Sequence, residues 1–599
     1  MAGSSRPNLL TGDTRRALIS LAVPTLLGII FILAVNLIDT YFVGQLGTDE
    51  LAAMGFTFPV ATLVTSVGFG LGVGTTSAVS RALGGGDTAT SRRLVTHGLL
   101  LGTVVVLLIS LAGVATQETV FRSLGAEPEL LPLLDAYMTI WYAGAIFLVV
   151  PMIGTGALRA SGDAKTPAIV MAVAAASNAV LDPMFIFGFG PLEPMGIEGA
   201  AIATVISRAV TLLVTVYVIY RRKLLDIHIP SASELFGSWR QILSVGVPAS
   251  ISNAIVPVAT AIMTALVAGY GAASVAGFGI ASRLESFVLI PGMALTAALT
   301  PFIGQNWGAH HPERVAEAMR IATRFVMAWG LGAWVVLLLV GDTVAGVFAD
   351  DPQVIDVAHT YMWIVPASYG TAGLVSVVSA SFNAVDRAVR STVLSALRSL
   401  VLAVPLAFVG AEVAGLEGIF SGIAVASIIT GGAAMLWSRQ MRSVRATVED
   451  PVAKLIGVGD RKGPLDMLIE GARKIEGLRI APRPINTVGF YAGEHELGHV
   501  HASGHIDLHV PLEVHDALLD LGKCSHHRHL HDVSWITHRV DTDDDIPEAL
   551  WLLELTAALY ASVRAGEQVD EGVFAALELP EQLSTAARGA VHRTLAATA

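Results

Sequence analysis

Three polar side chains interrupt long apolar stretches in the first third of the chain. Asp39 lies in one stretch, and Asn178 and Asp182 lie four residues apart in another. A spacing of four places two side chains on one face of a helix. An ionised group in hydrocarbon is costly and is kept mainly for function. A carboxylate withdrawn from water can load and release a proton near neutral pH, and a neutral amide oxygen suits sodium equally well. The pattern therefore indicates an ion-handling site.

A second placement of these carboxylates stays open. Asp39 comes late in its apolar stretch, so Asp39 and Asp182 could also lie at the outer ends of two membrane helices, where water would solvate them. Arg208, Arg283 and Glu285 also fall within apolar stretches. We expect these three to be structural, with Arg283 and Glu285 as a charge pair.

A histidine-rich segment near the C-terminus nearly reproduces a zinc-protease motif. In HELGHVHASGH (495–505), the motif would use His495, Glu496, His499 and His505 from a helix. Ala502 replaces a glycine of the longer motif, and the flanks alternate as in a β-hairpin. We therefore assign no catalytic residue and no metal ligand. The cluster HHRHLH (526–531) either binds metal adventitiously or is a solvated loop.

The elements that would position these residues are membrane helices. Hydrophobic residues make up 53% of the chain and charged residues only 14%, which is typical of membrane proteins. A bilayer span needs about 20 apolar residues. Such segments are predicted at 16–42, 52–80, 94–116, 132–156, 166–188, 197–220, 240–267, 278–303, 318–341, 357–380, 391–411 and 416–437.

Basic residues gather in alternate loops, which predicts the orientation. The loops predicted to face the cytoplasm contain Arg15, Arg16, Arg92, Arg93, Lys165, Arg221, Arg222, Arg314, Arg387 and Arg390. We therefore expect a multi-pass protein of the cytoplasmic membrane with both termini in the cytoplasm. Residues 450–599 contain ten of the twelve net negative charges and only short apolar runs, so they are predicted to form a soluble α+β domain.

The twelve predicted spans form two related halves. At an offset of 224, residues 24–84 match 248–308 without a gap. Six spans in each half give parallel repeats, so the domains are predicted at 1–225, 226–445 and 446–599. Asp39 corresponds to Met263, and Asn178 and Asp182 correspond to Leu402 and Leu406. The cation site is therefore expected in the first half alone.

Glycine-rich runs in the apolar segments do not indicate a nucleotide site. GFGLGVG (68–74) lacks a preceding strand and a phosphate-binding lysine, and it is typical of closely packed membrane helices. Transport energy is therefore expected to come from an ion gradient, with no cofactor.

Several motifs together make residues 10–440 resemble the multidrug and toxic compound extrusion (MATE) family, nearest its DinF-type branch. They are NLIDTYFVGQLG (36–47), NAVLDP (178–183), GAAIATVIS (199–207), SRLESF (282–287) and PFIGQNWGA (301–309). The resemblance implies an antiporter that exchanges H+ or Na+ for small organic compounds. It also implies a cation site formed by Asp39, Asn178, Asp182 and Thr204, with Pro24 at a bend in the first span.

The C-terminal region resembles an uncharacterised luciferase-like domain family, through ELGHVH (496–501), Trp535 and DIPEALWLLEL (545–555). That resemblance establishes no reaction, and we expect no enzyme activity. Two alternatives to the antiporter stay open: a lipid or oligosaccharide flippase of the wider superfamily, and a membrane-tethered enzyme acting through the tail. We expect a monomer in the lipid bilayer with a small organic substrate and no nucleic-acid partner.

Overall fold

The computed structural model describes most of the chain as two compact units, Met1–Arg442 and Ser443–Ala599. The described residues are 9–191, 193–226, 228, 230–442, 464–483, 487–493, 495–501, 504–526, 534–565 and 575–598. Each unit has its own hydrophobic core.

The described residues of the first unit form helices that are joined by loops. Its α-helices are α1 (Thr14–Gly44), α2 (Thr48–Gly84), α3 (Thr88–Ser123), α4 (Leu131–Gly144), α5 (Ile146–Ala160), α6 (Lys165–Ile186), α7 (Gly196–Arg221), α8 (Ala232–Ala268), α9 (Ala272–Gly308), α10 (Pro312–Phe348), α11 (Pro352–Ile364), α12 (Tyr369–Ala384), α13 (Ala388–Ala396) and α14 (Ala403–Arg442). A π-helical turn, Leu397–Leu402, joins α13 to α14.

Twelve helices in the described residues are long and apolar enough to cross a membrane. One of them, Ala388–Ser438, is broken at Ala414 and Gly415, where the backbone leaves the helical region. The predicted spans 11 and 12 lie on either side of this break. Another, Asp543–Val563, belongs to the second unit, where Leu552, Leu553 and Leu559 form part of its core. The predicted fold class is confirmed.

The helix boundaries follow the duplication predicted from the sequence. The offset of 224 carries α2 onto α9 residue for residue, and it carries the last residue of α1 onto the last residue of α8. The helical stretch Pro128–Ala160 falls on Pro352–Ala384 in the same way. The two six-span halves of the membrane unit, which we call the first and second lobes, are therefore built on the same plan.

Close helix packing explains the glycine-rich run of α2. A Cβ atom at Gly70 would lie 2.0 Å from Ser250 Oγ, and one at Gly74 would lie 2.4 Å from the Ile242 carbonyl oxygen. Both contacts are with α8, in the other lobe. The predicted packing role of residues 68–74 is confirmed.

Two equivalent hydrogen bonds join the lobes where α2 and α9 end. Arg81 donates from Nη1 to the Ala384 carbonyl oxygen at 3.1 Å, and Gln305 donates from Nε2 to the Ala160 carbonyl oxygen at 2.6 Å. The offset relates both donors and both acceptors. Arg81 also forms a 3.7 Å ion pair with Asp386. We call this end of the bundle the closed end.

Several further hydrogen bonds between the lobes lie toward the closed end. Thr14 at the start of α1 donates to Glu317 near the start of α10, and His97 in α3 is 2.9 Å from Ser238 in α8. Buried leucines of α1 pack there against Leu299 and Phe302 of α9. Asp39 and Asp182, late in α1 and α6, therefore lie toward the opposite end.

The second unit is an antiparallel sheet packed on helices. Its strands are β1 (Leu478–Arg483), β2 (Thr487–Ala492), β3 (His495–His501), β4 (His505–His509), β5 (Ser525–His526) and β6 (Trp535–Arg539), in the order β1-β2-β3-β4-β6-β5. Its helices are α15 (Pro464–Ala472), α16 (Leu512–Asp520), α17 (Ile546–Ala565) and α18 (Glu581–Thr598). Phe490, Val500 and Ile506 belong to the core that the helices cover. The predicted hairpin at 496–510 is confirmed.

Gly84→Ala should destabilise the closed end. A Cβ at this position would lie 2.0 Å from the Gln305 carbonyl oxygen, a backbone atom that cannot move aside cheaply. Overpacking of this kind costs about 1–3 kcal/mol, so the thermal unfolding midpoint in detergent should fall. Gly55→Ala in the same helix is the matched control, because nothing lies within 4 Å of its added Cβ. Equal midpoints for the two variants would contradict the close packing of α2 and α9.

Candidate functional site

The centre of the candidate site is on α6. Asp182 and Asn178 each have 0% of their surface exposed, and Asn178 donates from Nδ2 to Asp182 Oδ1 at 2.9 Å. One helical turn separates them, as the sequence predicted. Helix α6 packs against both α1 and α7. Asp182 is therefore buried between helices, which rules out the alternative of a solvated interfacial carboxylate for this residue.

Helix α1 brings Asp39 to the same place. The residue is half-buried, but its Oδ1 atom is shielded from solvent. Asp39 is close enough to interact electrostatically with Asp182 of α6 and with Arg208 of α7. The two carboxylates that the sequence identified separately thus belong to one site.

Helix α7 contributes Thr204 and, one turn later, Arg208. Thr204 is 4% exposed. The Arg208 guanidinium lies over the Trp141 ring of α4, with Cζ 5.8 Å from the ring centroid. Tyr137, one turn before Trp141, is buried and interacts with Asp39, Arg208 and Asp182. Arg208 was expected to be structural, and its spacing of four from Thr204 was the signal that could have placed it at the site.

The predicted site residues present oxygen atoms that have no protein partner. Among the described residues, no hydrogen bond reaches Asp39 Oδ1, Asn178 Oδ1, Asp182 Oδ2 or Thr204 Oγ1, although all four atoms are buried. A buried polar atom without a partner costs about 1–3 kcal/mol. Four such oxygens from three adjacent helices are suitable ligands for a small hard cation.

The charges of the site do not balance. Arg208 interacts with Asp39, and Asp39 interacts with Asp182, so the site contains two carboxylates and one guanidinium. With both carboxylates ionised, the site has one negative charge that the guanidinium does not compensate. One bound monovalent cation would remove it.

The second lobe is different at the equivalent positions. Met263, which corresponds to Asp39, is 5% exposed and belongs to the core of its lobe, with Leu402 and Leu406 packed against that core. Glu285 instead accepts a hydrogen bond from Tyr361 and interacts with Arg398. The expected pair of Arg283 with Glu285 is therefore wrong. Residues two apart on a helix point to different sides.

Pro24 lies inside α1, which is one continuous helix from Thr14 to Gly44. Proline has no N–H group, so the carbonyl of Ser20 lacks its intrahelical hydrogen bond from this position. The bend that the family resemblance implied at Pro24 stays a prediction.

The histidines of the C-terminal motif lie on strands. His495 and His499 belong to β3 and His505 belongs to β4. The structure brings His499 together with His501 and Asp507, a different set from the zinc-protease pattern. Of the cluster at 526–531, residues 527–531 lie outside the described part of the chain.

Two six-span lobes with a buried charged site between helices of one lobe are typical of secondary transporters. The MatE family model matches the chain twice, at residues 24–184 and 248–409, once in each lobe. The chain belongs to this family of MATE transporters. A second model, described as Luciferase domain, matches residues 494–556.

Similar proteins align with the membrane unit of this chain over nearly the whole of their own length. The FAD transporter of Shewanella oneidensis is 35% identical over 447 residues, which is 74% of this chain and 99% of that protein. Multidrug export protein MepA of Staphylococcus saprophyticus is 26% identical, over 72% of this chain and 95% of that protein. The crystal structure of the Vibrio cholerae MATE transporter VcmN in the bent form has a TM-score of 0.68 and 30% identity, over 72% and 97%. These relatives are transporters and not enzymes.

A double-mutant cycle tests whether Arg208 compensates Asp39. Arg208→Met leaves the half-buried Asp39 carboxylate without its guanidinium, so the thermal unfolding midpoint should fall. The same substitution in an Asp39→Asn background should cost less, with a coupling energy of about 0.5–3 kcal/mol.

Arg283→Met is the matched control, since Arg283 is an exposed arginine of a membrane helix. Its effect should be the same with and without Asp39→Asn. If the effects of Arg208→Met and Asp39→Asn simply add, the two groups do not form a charge pair.

Proposed function

We propose that the chain is an antiporter that exports small organic compounds in exchange for H+ or Na+. The observation that supports this most strongly is a cluster of two carboxylates, Asp39 and Asp182, with only the Arg208 guanidinium beside Asp39. It coincides with four buried oxygens that lack a partner among the described residues. A site of this kind gains most from one monovalent cation.

The charge of the site supplies a coupling mechanism. A cation-free site has a net charge, and sealing it away from water would cost free energy because of desolvation. A loaded site is neutral and can be enclosed at lower cost. Cation binding would therefore favour release of the closed end and rearrangement of the lobes, and exported substrate would then bind as the cation leaves. Parallel lobes can rock about an axis along the membrane normal.

An apolar cavity supports an organic substrate. It has a volume of about 500 Å³ and is lined by Leu37, Ile38, Tyr41, Phe42 and Ala179. These residues flank Asp39 and Asn178 along α1 and α6. Aromatic and aliphatic walls of this kind suit a flat, largely apolar compound, and the aromatic rings would stack on it. The similarity to proteins named FAD transporter and multidrug export protein supports the same broad class.

Neutralising either carboxylate should abolish coupled export. In proteoliposomes with an imposed H+ or Na+ gradient, Asp39→Asn and Asp182→Asn should each reduce gradient-driven transport of an organic cation dye such as ethidium to the level of empty vesicles. Both variants remove the extra negative charge that the cation would balance. Dye flux is measured by fluorescence as the gradient is applied.

Asp135→Asn is the control for this experiment. Asp135 is a carboxylate of α4 in the same lobe, and it accepts a hydrogen bond from Gln117. Its variant should transport at the normal rate. Full gradient-driven transport by Asp39→Asn or Asp182→Asn, at equal reconstitution, would show that coupling takes place elsewhere. Transport of labelled lipid in place of the dye would favour the flippase alternative.

We infer that the closed end faces the cytoplasm, together with both termini. Basic residues of the predicted cytoplasmic loops, including Arg93 and Arg222, lie at this end of the bundle. The native Cys524 is a poor reporter of topology, because burial and the Glu548 carboxylate raise the pKa of its thiol to about 12. Almost no reactive thiolate is present at neutral pH.

An introduced cysteine should report the orientation. In a Cys524→Ser background, Gln582→Cys places a thiol at an exposed position of helix α18. In the same background, Glu127→Cys places a thiol on an exposed loop at the opposite end of the bundle from the closed end. An impermeant maleimide added to intact cells should label the thiol at 127 and leave the thiol at 582 unlabelled until the cells are permeabilised. The reverse pattern would overturn the orientation.

A further inference from the structure

The sheet of the second unit has one face built of apolar side chains and one built of polar side chains. Val500 and Ile506 point to the helices, as their burial in the core requires. Alternation along a strand then places His499 and His501 of β3 on the opposite face. Strand pairing sets Asp507 of β4 directly opposite His499, and Thr537 of β6 directly opposite Asp507.

Three of these side chains converge on one point. Asp507 Oδ2 lies 3.0 Å from His501 Nε2 and 3.7 Å from His499 Nε2. One donor atom from each of the three residues lies within 4.8 Å of the others. Donors at about 2.0–2.1 Å from a tetrahedral zinc ion are about 3.4 Å apart. The two measured distances lie on either side of that spacing.

We propose that His499, His501 and Asp507 form a binding site for a divalent transition-metal ion. Two imidazoles and one carboxylate are ligands that Zn2+ or Fe2+ accepts, whereas Mg2+ and Ca2+ prefer oxygen ligands. Three protein ligands leave at least one coordination position for water or a small molecule. This proposal replaces the expectation from the sequence that the chain has no metal ligand.

Neighbouring groups orient two of the three ligands. Glu496 Oε1 lies 3.0 Å from His499 Nδ1, and Thr537 donates from Oγ1 to Asp507 Oδ1 at 2.5 Å. A histidine that donates Nδ1–H to a carboxylate presents the lone pair of Nε2 to a metal. In that tautomer His499 Nε2 and Asp507 Oδ2 present lone pairs toward each other, as two ligands of one ion would.

The site is sheltered and remains accessible. The side chains of Asp507 and His499 are 7% and 14% exposed, whereas that of His501 is 38% exposed. The Trp535 ring packs on the His499 ring, with centroids 5.6 Å apart. An ion would thus have a rigid aromatic wall on one side and an entry path beside His501.

The proposed ligands differ from those of the zinc-protease motif, and only His499 is common to both sets. His495 pairs with Ala492 at one end of the β2–β3 pair, and His505 pairs with Arg539 at the start of β4. An extended strand rises about 3.3 Å per residue, so the length of β3 places His495 about 20 Å from the turn that joins β3 to β4, where His505 lies. Substitutions at His501 and His495 therefore distinguish the two sets.

The test is a zinc count on the full-length protein, purified in detergent with a tag that contains no histidine. The protein is stripped with a chelator, incubated with Zn2+, passed through a desalting column and measured by plasma mass spectrometry. The wild type should retain one Zn2+ per chain in the presence of excess Mg2+. His501→Gln and Asp507→Asn should each weaken zinc binding at least tenfold. His495→Gln should retain the wild-type zinc count.

The outcomes separate this site from its competitors. Loss of zinc in His495→Gln but not in His501→Gln would support the protease motif and overturn the proposal. Retention of zinc in both His501→Gln and Asp507→Asn would mean binding at other histidines, such as the cluster at 526–531, and would also overturn it. Thermal unfolding of the metal-free variants checks their folding. If Asp507→Asn does not fold, the zinc content of His501→Gln, a variant at a partly exposed position, decides the test.

Discussion

Two carboxylates, Asp39 and Asp182, with the single guanidinium of Arg208 form the constraint on which the proposed exchange of ions depends. Asp182 is buried between α1, α6 and α7, and Asp39 lies near enough to interact with it and with Arg208. Burying two carboxylates beside one guanidinium is unfavourable unless a cation completes the set. The packing of these helices holds the two carboxylates together, beside oxygens that have no hydrogen-bond partner among the described residues. The proposed exchange of ions for organic compounds depends on the same carboxylates.

The duplication shows how such a site arises without a change of fold. Helices α2 and α9 have equivalent boundaries, and Arg81 and Gln305 make equivalent hydrogen bonds across the lobes at the closed end. The buried positions have diverged, since Met263 occupies the place of Asp39. The symmetric backbone supplies two similar lobes, and the asymmetric side chains confine the proposed cation site to one of them.

The sequence predicted those features that depend on local pattern. Span lengths, the repeat and the spacing of Asn178 and Asp182 follow from hydropathy and helical periodicity, and alternation along 496–510 identified the hairpin. Contacts between distant segments were missed. Arg208 was not linked to Asp39, and His499 and His501 were not linked to Asp507, because the pairing of helices and strands is not written in the spacing of residues. Residues 495–501 and 505–509 form strands, as the alternation predicted, and not the helix of the zinc-protease pattern, yet the register of β3 and β4 forms another cluster.

The most direct test of this account is the number of monovalent cations that the site binds. Purified protein is titrated with Na+ by equilibrium dialysis at several pH values, and bound Na+ and bound protons are counted relative to an Asp39→Leu, Asp182→Leu double variant. Two ionised carboxylates beside the one guanidinium of Arg208 leave one negative charge to balance. The wild type should therefore bind one more cation, H+ or Na+, than the double variant when its site passes from the empty, fully ionised form to the loaded form. Two cations per chain in that step, or the same binding in the double variant, would contradict the central role of this charge.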